Sequence, residues 1–192
     1  MNLKKDINMD LDILVVDNTA FASGFNINII GKNNPEVQIY MTPDVEQETT
    51  KSMRSQQIID VAQSQGLLRI EIPSENSLKK VENVSARTGD SGALSKPDKS
   101  LIALSLDLMA ANPQKRVFLM SDDYSIQNVC AQMIPPVSIL KYSKKGISEA
   151  IVWETYCPSC YRTFNPSELS HKCPECNVRL KRKKKEKGKI DF

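Results

Sequence analysis

Two closely spaced pairs of cysteines near the carboxyl end constrain the fold of this chain more than any other feature. The pairs are Cys157-Pro-Ser-Cys160 and Cys173-Pro-Glu-Cys176, with twelve residues between them. Thiolates three residues apart on a tight turn can reach one ion, and two such turns complete a tetrahedral Zn²⁺ site. A disulfide or a redox-active cysteine pair is the alternative, but the doubled motif favours metal. Because sulfur fills all four positions, the predicted zinc stabilises a ribbon and performs no catalysis.

Positive charge is concentrated at the end of the chain. The 192 residues carry a net charge of +3, yet residues 179–192 alone contain eight basic and two acidic side chains. The preceding residues are therefore mildly acidic. Concentrated cationic segments attract polyanions, most often nucleic acid. The sequence predicts a solvated basic tail over 181–192 that binds nucleic acid, with a purely solubilising tail as the alternative.

The upstream residues alternate between strand-like and helix-like patterns. Short apolar runs are typical of buried parallel strands, and apolar residues at helical spacing predict amphipathic helices. The predicted strands cover 11–17, 37–41, 67–72, 116–121 and 137–140, and the predicted helices cover 45–64, 74–84, a segment opening at Ser95, and 123–133. This alternation predicts an α/β fold, with a mostly parallel sheet flanked by helices and followed by the zinc ribbon.

Hydrophobic segments are too short for a membrane protein. The longest apolar runs, such as 13–16 and 117–120, have four residues, whereas a helix that crosses a bilayer needs about 20. Charged residues interrupt the beginning of the chain, so no secretory signal is expected. We therefore expect a cytoplasmic protein with no membrane partner.

Acidic residues follow several predicted strands or open predicted helices. In an open parallel sheet, ligands bind beyond the carboxyl ends of the strands, near the point where strand order reverses. The acids expected at this edge are Asp17, Glu48, Asp98, Asp122 and Asp123. Carboxylates in one cleft repel one another unless a cation lies among them, and oxygen ligands favour Mg²⁺ or Mn²⁺.

Each of these acids also has a purely structural explanation. Ser95-Lys-Pro-Asp98 matches a capping box, in which Asp98 satisfies a helix terminus. Asp17, Asp122 and Asp123 stand where helix N-caps commonly follow strands. Glu48 fits a solvated helix position equally well. The pattern alone leaves both interpretations open.

Three segments, together with the cysteine pairs, resemble a known family. They are VVDNTAF at 15–21, TGDSGALSKPDKSLIALSLDL at 88–108 and SDDYSIQNVCAQM at 121–133. The chain resembles the PIN-domain endonucleases of ribosome maturation that carry a zinc ribbon and trim the 3′ end of small-subunit rRNA, in their short archaeal form. The resemblance implies a PIN fold with an acidic, metal-dependent active site.

Residue roles are carried over from this resemblance position by position. It implies catalytic and Mg²⁺- or Mn²⁺-binding roles for Asp17, Glu48, Asp98 and Asp123, and zinc-ligand roles for Cys157, Cys160, Cys173 and Cys176. The spacing does not separate Glu46 from Glu48, and Asp90 is a weaker candidate. Asp122 is an additional acid beside Asp123 with no assigned role.

The implied domain layout has four parts. Residues 1–140 form a PIN-like nuclease domain, 141–152 a linker, 153–180 the zinc ribbon and 181–192 the basic tail. Tyr161, Arg162 and Phe164 of the ribbon offer stacking or shape contacts to RNA. For Phe164, packing in the small zinc core is the favoured alternative.

The implied function is metal-dependent endonucleolytic cleavage of precursor small-subunit rRNA at its mature 3′ end. The expected partners are that RNA and the pre-ribosomal small subunit, with a KH-type assembly factor as a further candidate. Two rival functions remain. One is a toxin-type PIN ribonuclease with another substrate, and the other is a non-catalytic RNA-binding assembly factor.

Overall fold

Five parallel strands form the central sheet of the computed structural model, which describes residues 11–18, 20, 27, 36–141 and 149–189. The strands are β1 (Ile13–Val16), β2 (Gln38–Met41), β3 (Leu68–Ile70), β4 (Val117–Met120) and β5 (Ser138–Leu140). Their spatial order is β3-β2-β1-β4-β5, and every neighbouring pair is parallel. The chain therefore reverses its direction of winding between β1 and β4, where an open sheet forms its ligand crevice.

Helices flank this sheet, as the alternating sequence pattern predicts. They are α1 (Pro43–Thr49), α2 (Met53–Ser64), α3 (Glu75–Thr88), α4 (Lys96–Ala111) and α5 (Tyr124–Ala131). The Ser74 side chain accepts a hydrogen bond from the amide of Ser77 and caps α3, as predicted. Within the described part of the chain, no helix has both the length and the apolar character to span a bilayer.

Two helix boundaries differ from the predictions. The predicted helix over 45–64 is two helices, because Ser52 between them has an extended backbone, with φ −100° and ψ 121°, and begins α2 as its N-cap residue. Helix α3 continues to Thr88 instead of ending near residue 84. Periodicity missed this last turn because its buried residues, Ser85 and Thr88, are polar.

The core lies between β1, β4 and α4. All four residues of β1 are buried, and eight consecutive or nearly consecutive residues in the middle of α4 are buried as well. Complete burial of a Leu or Ile side chain contributes about 1.5–3 kcal/mol. This rigid centre fixes the carboxyl ends of β1 and β4 and the amino end of α4, where the candidate acids lie.

A second sheet contains the cysteine motifs and the basic end of the chain. Strand β6 (Glu149–Tyr156) pairs antiparallel with β7 (Thr163–Phe164) on one side and β8 (Lys181–Lys189) on the other. Residues 181–189 of the predicted basic tail form the strand β8, and the side chains of 181–186 are mostly exposed. Residues 149–152 of the predicted linker belong to β6, while 142–148 lie outside the described residues.

Side chains of β6 explain why so basic a segment folds as a strand. The Arg182 guanidinium lies over the Trp153 ring, 4.8 Å from its centroid, and the Lys183 ammonium lies 5.2 Å from the centroid of the Tyr156 ring. The same Lys183 pairs with Glu154 at 2.9 Å. Aromatic faces and a carboxylate thus offset part of the repulsion among the β8 cations.

The second sheet packs against the first domain through a buried polar contact that we call the docking seam (Asp90, Asn128, Ile151 and Arg182). Asp90 is fully buried, and its two oxygens accept hydrogen bonds from Arg182 at 2.9 Å, Thr88 at 2.8 Å and Asn128 at 2.6 Å. The Asn128 amide also exchanges two hydrogen bonds with the backbone of Ile151, at 2.7 and 2.8 Å. Burial raises the pKa of Asp90, while these hydrogen bonds and the Arg182 charge oppose that rise.

Gly89 lets the two parts approach at this seam. It ends α3 with φ +78°, a left-handed conformation, and a Cβ at this position would overlap the carbonyl group of Trp153 in β6. Both the conformation and the close approach require glycine.

We predict that Gly89→Ala destabilises the protein more than Gly66→Ala does. Gly66 is also left-handed, with φ +69°, but a Cβ there would meet no atom within 4 Å. Gly66→Ala should therefore lower the free energy of unfolding only by the cost of a left-handed backbone at alanine, about 1–2 kcal/mol. Gly89→Ala should cost about 1–3 kcal/mol more, because of overlap with β6. Urea unfolding of both variants measures the difference, and equal losses would contradict the tight seam.

Candidate active site and metal centre

The carboxyl ends of β1 and β4 bring two of the predicted acids together through a serine. Asp17 follows β1 and is 5% exposed, and the hydroxyl of Ser121 donates to its Oδ2 at 3.0 Å. The same hydroxyl accepts a hydrogen bond from the amide of Asp123 at 3.2 Å. Ser121 thus holds Asp17 and Asp123 in one arrangement. The sequence pattern predicts Ser121 only as the last residue of a strand and does not indicate this role.

The other two predicted acids come from α4 and α1. Burial raises the pKa of Asp98, and the charges of Asp123 and Glu48 raise it further, against hydrogen bonds from Ser95 that lower it. The structure therefore favours Glu48 as the acid from α1. We call Asp17, Glu48, Asp98 and Asp123 the acidic cluster.

A buried pair of hydroxyls keeps α1 close to α4 at this edge. Thr42, the N-cap residue of α1, lies with its Oγ1 2.7 Å from the Oγ of Ser100 in the first turns of α4. Both residues are buried. This contact fixes the helix that carries Glu48 relative to the helix that carries Asp98.

The capping roles considered for the acids are also present in the structure. Oδ2 of Asp98 accepts hydrogen bonds from the amide and hydroxyl of Ser95 at 2.8 and 2.7 Å, which completes the predicted capping box. Oδ1 of Asp123 accepts from the amides of Ser125 and Ile126 at 2.6 and 3.3 Å and caps α5. The second oxygen of each carboxylate accepts no hydrogen bond from the described residues. A cap therefore orients each acid and leaves one oxygen for a cation.

Asp90, the weaker candidate, lies in the docking seam and not in the acidic cluster. Its oxygens are occupied by Thr88, Asn128 and Arg182. The clue in the sequence is the Gly-Asp pair that ends a long helix, a position typical of a structural turn. Asp122, beside Asp123, is half-buried and has at least one interaction of its own.

The donor set of the acidic cluster fits a hard divalent cation. It offers only carboxylate oxygens, the ligands that Mg²⁺ and Mn²⁺ prefer. Burial raises the pKa of Asp98 most, and the charges of Asp123 and Glu48 add to that rise; a bound cation would offset both effects.

The four cysteine sulfurs form a second and tighter cluster. Their Sγ atoms all lie within 4.8 Å of one another. Among the described residues, no other group of three or more His, Cys, Asp or Glu side chains has its ligand atoms this close together. Sulfur in all four positions suits a closed structural site. Hydrogen bonds from the backbone amides of Cys160 and Ser159 lower the pKa of Cys157 to about 7, which favours the thiolate that binds metal.

The two cysteine turns have the same backbone structure. The amide four residues after the first cysteine of each turn donates to that cysteine's carbonyl, from Tyr161 to Cys157 and from Asn177 to Cys173, both at 2.9 Å. Tyr161 and Asn177 both have left-handed backbones, with φ values of 61° and 52°. The repeated motif in the sequence therefore corresponds to a repeated knuckle in the structure.

The aromatic residues of the ribbon have different environments. Phe164 packs against the small core formed by Cys157, Cys173 and Leu180, which agrees with the packing interpretation. Tyr161 is 72% exposed, and Arg162 forms an exposed ion pair with Glu175. Of the three, only Tyr161 presents a largely accessible ring.

Comparison with known proteins places these features in one family. Residues 14–108 match the PIN domain of ribonuclease family. Endoribonuclease Nob1 of Pyrococcus abyssi is 31% identical over 88% of this chain and 91% of that protein. Ribonuclease VapC1 of Thermoplasma acidophilum is 31% identical over 88% of this chain and 77% of that protein. The 20S-pre-rRNA D-site endonuclease NOB1 of Saccharomyces cerevisiae is 39% identical over 36% of this chain and 15% of that protein.

PIN ribonucleases use divalent metal ions, which agrees with the oxygen-only acidic cluster. The match to the Pyrococcus protein covers most of both chains. This chain therefore belongs to the Nob1 family of PIN-domain endoribonucleases.

Proposed function

We propose that this endoribonuclease cleaves precursor small-subunit rRNA at the mature 3′ end, with Mg²⁺ or Mn²⁺ held by the acidic cluster and Zn²⁺ held by the four cysteines. The observation that carries the proposal is the docking of the basic strand β8 beside a cluster of four acids at the switch point of the sheet. The name of the yeast relative, a pre-rRNA D-site endonuclease, supports the choice of substrate.

The acidic cluster is suited to phosphodiester hydrolysis because its members are held in fixed positions. Ser121 orients Asp17, the capping box orients Asp98, and the amide groups of α5 orient Asp123. A divalent ion held by these carboxylates would supply an activated water and would offset charge on the phosphate. Positions fixed in advance reduce the reorganisation that the reaction requires.

Cations of β8 supply the RNA-binding surface in this proposal. Arg182 pairs with Asp90 and Lys183 pairs with Glu154, but Lys181, Lys184 and Lys185 form no ion pair with the described residues. Asn128, which joins β6 to the first domain, lies in the same short helix that Asp123 caps. Helix α5 thus connects Asp123, at its amino end, to β6, and β6 pairs with the strand that carries the unpaired lysines.

A toxin-type ribonuclease that acts on another RNA is the second candidate, and the similarity to VapC1 of Thermoplasma acidophilum favours it. Cleavage mapping on a precursor rRNA fragment that spans the mature 3′ end, beside an unrelated RNA of equal length, separates the two. Cleavage at the mature end alone supports our proposal, whereas preference for the unrelated RNA contradicts it. A KH-type partner and a cytoplasmic location stay predictions.

We predict that Asp17→Asn and Asp98→Asn abolish cleavage while RNA binding is retained. Asparagine keeps the size of the side chain but removes the charge that a divalent ion needs. We expect cleavage to fall by more than about 100-fold, since even loss of an outer-shell partner costs 10–100-fold. Single-turnover cleavage and filter binding measure the two effects. Asp60→Asn, the same change at an exposed acid of α2, should cleave normally.

If the Asn variants cleave at the normal rate, the protein does not use the acidic cluster, and the non-catalytic assembly factor becomes the better interpretation. Removal of divalent ions with EDTA gives an independent test. Cleavage should stop in EDTA and return with excess Mg²⁺ or Mn²⁺.

We predict one zinc ion per chain, lost in Cys173→Ser. The variant removes one of four sulfur ligands, so the ribbon should unfold while the five-stranded sheet stays folded. Elemental analysis measures the metal, and amide hydrogen exchange locates the unfolding. Cys130→Ser is the matched control, because Cys130 is buried in α5 and burial raises the pKa of its thiol. A wild-type protein without zinc would contradict the assignment.

We predict that Lys181→Gln with Lys185→Gln weakens RNA binding in a salt-dependent way. Each lost contact to a single-stranded phosphate should reduce the slope of log K against log salt by about 0.7. In the double variant this slope should therefore be smaller by up to about 1.4. Fluorescence anisotropy at several salt concentrations measures it. Lys51→Gln with Lys79→Gln removes the same charge from exposed sites outside β8. Equal slopes in both double variants would place the RNA surface elsewhere.

A further inference from the structure

A cavity of about 320 Å³ lies between the first turn of α5 and the strands β6 and β8. Tyr124 and Ser125 line it from the helix, and Trp153, Arg182 and Lys184 line it from the strands. The first domain and the basic strand each contribute one wall. The cavity therefore exists only because the docking seam holds the two parts together.

The cavity adjoins the acidic cluster directly. Tyr124 follows Asp123 in the chain, and the amide of Ser125 donates to Oδ1 of Asp123 at 2.6 Å. Consecutive Cα atoms lie about 3.8 Å apart, so the wall of the cavity begins one residue from a catalytic acid. A group bound in the cavity would lie next to any phosphate bound at the acidic cluster.

The lining of the cavity has the chemistry of a nucleotide-binding site. The Tyr124 side chain is 53% exposed, and an accessible aromatic ring is a platform for base stacking. Arg182 is held by Asp90 and by the face of Trp153, so it forms a fixed wall with a neutralised charge. Lys184 forms no ion pair with the described residues and keeps its charge for a phosphate. The cavity thus combines one aromatic platform with one available cation.

We propose that this cavity binds the base of the nucleotide adjacent to the scissile phosphate, with the base stacked on Tyr124 and its phosphate contacted by Lys184. The proposal rests on the proposed function, because it needs an RNA whose scissile phosphate lies at the acidic cluster. The subsite fixes the register of the RNA at the acids, since a stacked base sets the position of the phosphate beside it.

An abasic scan tests this subsite. The RNA spans the mature 3′ end of the small-subunit rRNA, and a single abasic residue is moved along it one position at a time. Binding is measured in the Asp17→Asn background, so that the RNA stays intact. We expect one abasic position next to the cleavage site to reduce affinity by roughly 5- to 100-fold, the range for loss of one stacked base.

Variants of the cavity then show whether Tyr124 is the stacking residue. In Tyr124→Ala, the intact RNA and the abasic RNA should bind equally, and Tyr124→Trp should restore the difference. Tyr161→Ala is the matched control for the aromatic ring. Lys79→Ala, at an exposed position of α3 outside the cavity, is the matched control for Lys184→Ala. Both controls should keep the abasic penalty.

The outcomes distinguish the subsite from the cleavage activity. A scan with no sensitive position, or an abasic penalty that persists in Tyr124→Ala, overturns the subsite even if cleavage mapping succeeds. Failure of the proposed function would instead appear as wrong or absent cleavage by the unmodified protein, whatever the binding scan shows.

Discussion

The buried contact of Asp90 with Arg182 and Asn128 determines how the two sheets of this protein are arranged. It joins the turn after α3, the helix α5 and the strand β8 at one point. A carboxylate taken out of water is stable only when charge and hydrogen bonds surround it, so removal of either partner leaves an unsatisfied charge. The contact fixes the basic strand beside the acidic cluster. The cavity next to Tyr124 depends on this contact, and so does the path that we propose for the RNA.

In the acidic cluster, a structural role and the proposed metal-binding role fall on the same side chains. Asp98 and Asp123 each use one oxygen to cap a helix and leave the other oxygen available. A helix amino end also favours negative charge through its dipole. The caps therefore support carboxylates that repel one another, and neither Asp98 nor Asp123 forms an ion pair with an arginine or lysine among the described residues.

Local sequence patterns predicted much of this arrangement, whereas distant contacts escaped them. The strands, the caps at Ser74 and Ser95 and the zinc knuckles depend on residues a few positions apart, so the sequence displays them directly. The bond between Arg182 and Asp90 joins residues 92 positions apart, and that between Ser121 and Asp17 joins residues 104 apart. No periodicity reports such pairs. The basic strand was mistaken for a tail because the aromatic rings that stabilise it lie in β6.

The position of β8 at the margin of its sheet gives its lysines an additional physical role. Within the described residues β8 pairs only with β6, so its other side presents a row of unpaired backbone groups. Such rows invite other strands to join, and closely spaced lysines are a common means of preventing this. The lysines that we propose for RNA binding therefore also oppose edge-to-edge association between copies of the protein. Substitutions that remove lysines from β8 to change RNA preference would therefore also make the protein more prone to association.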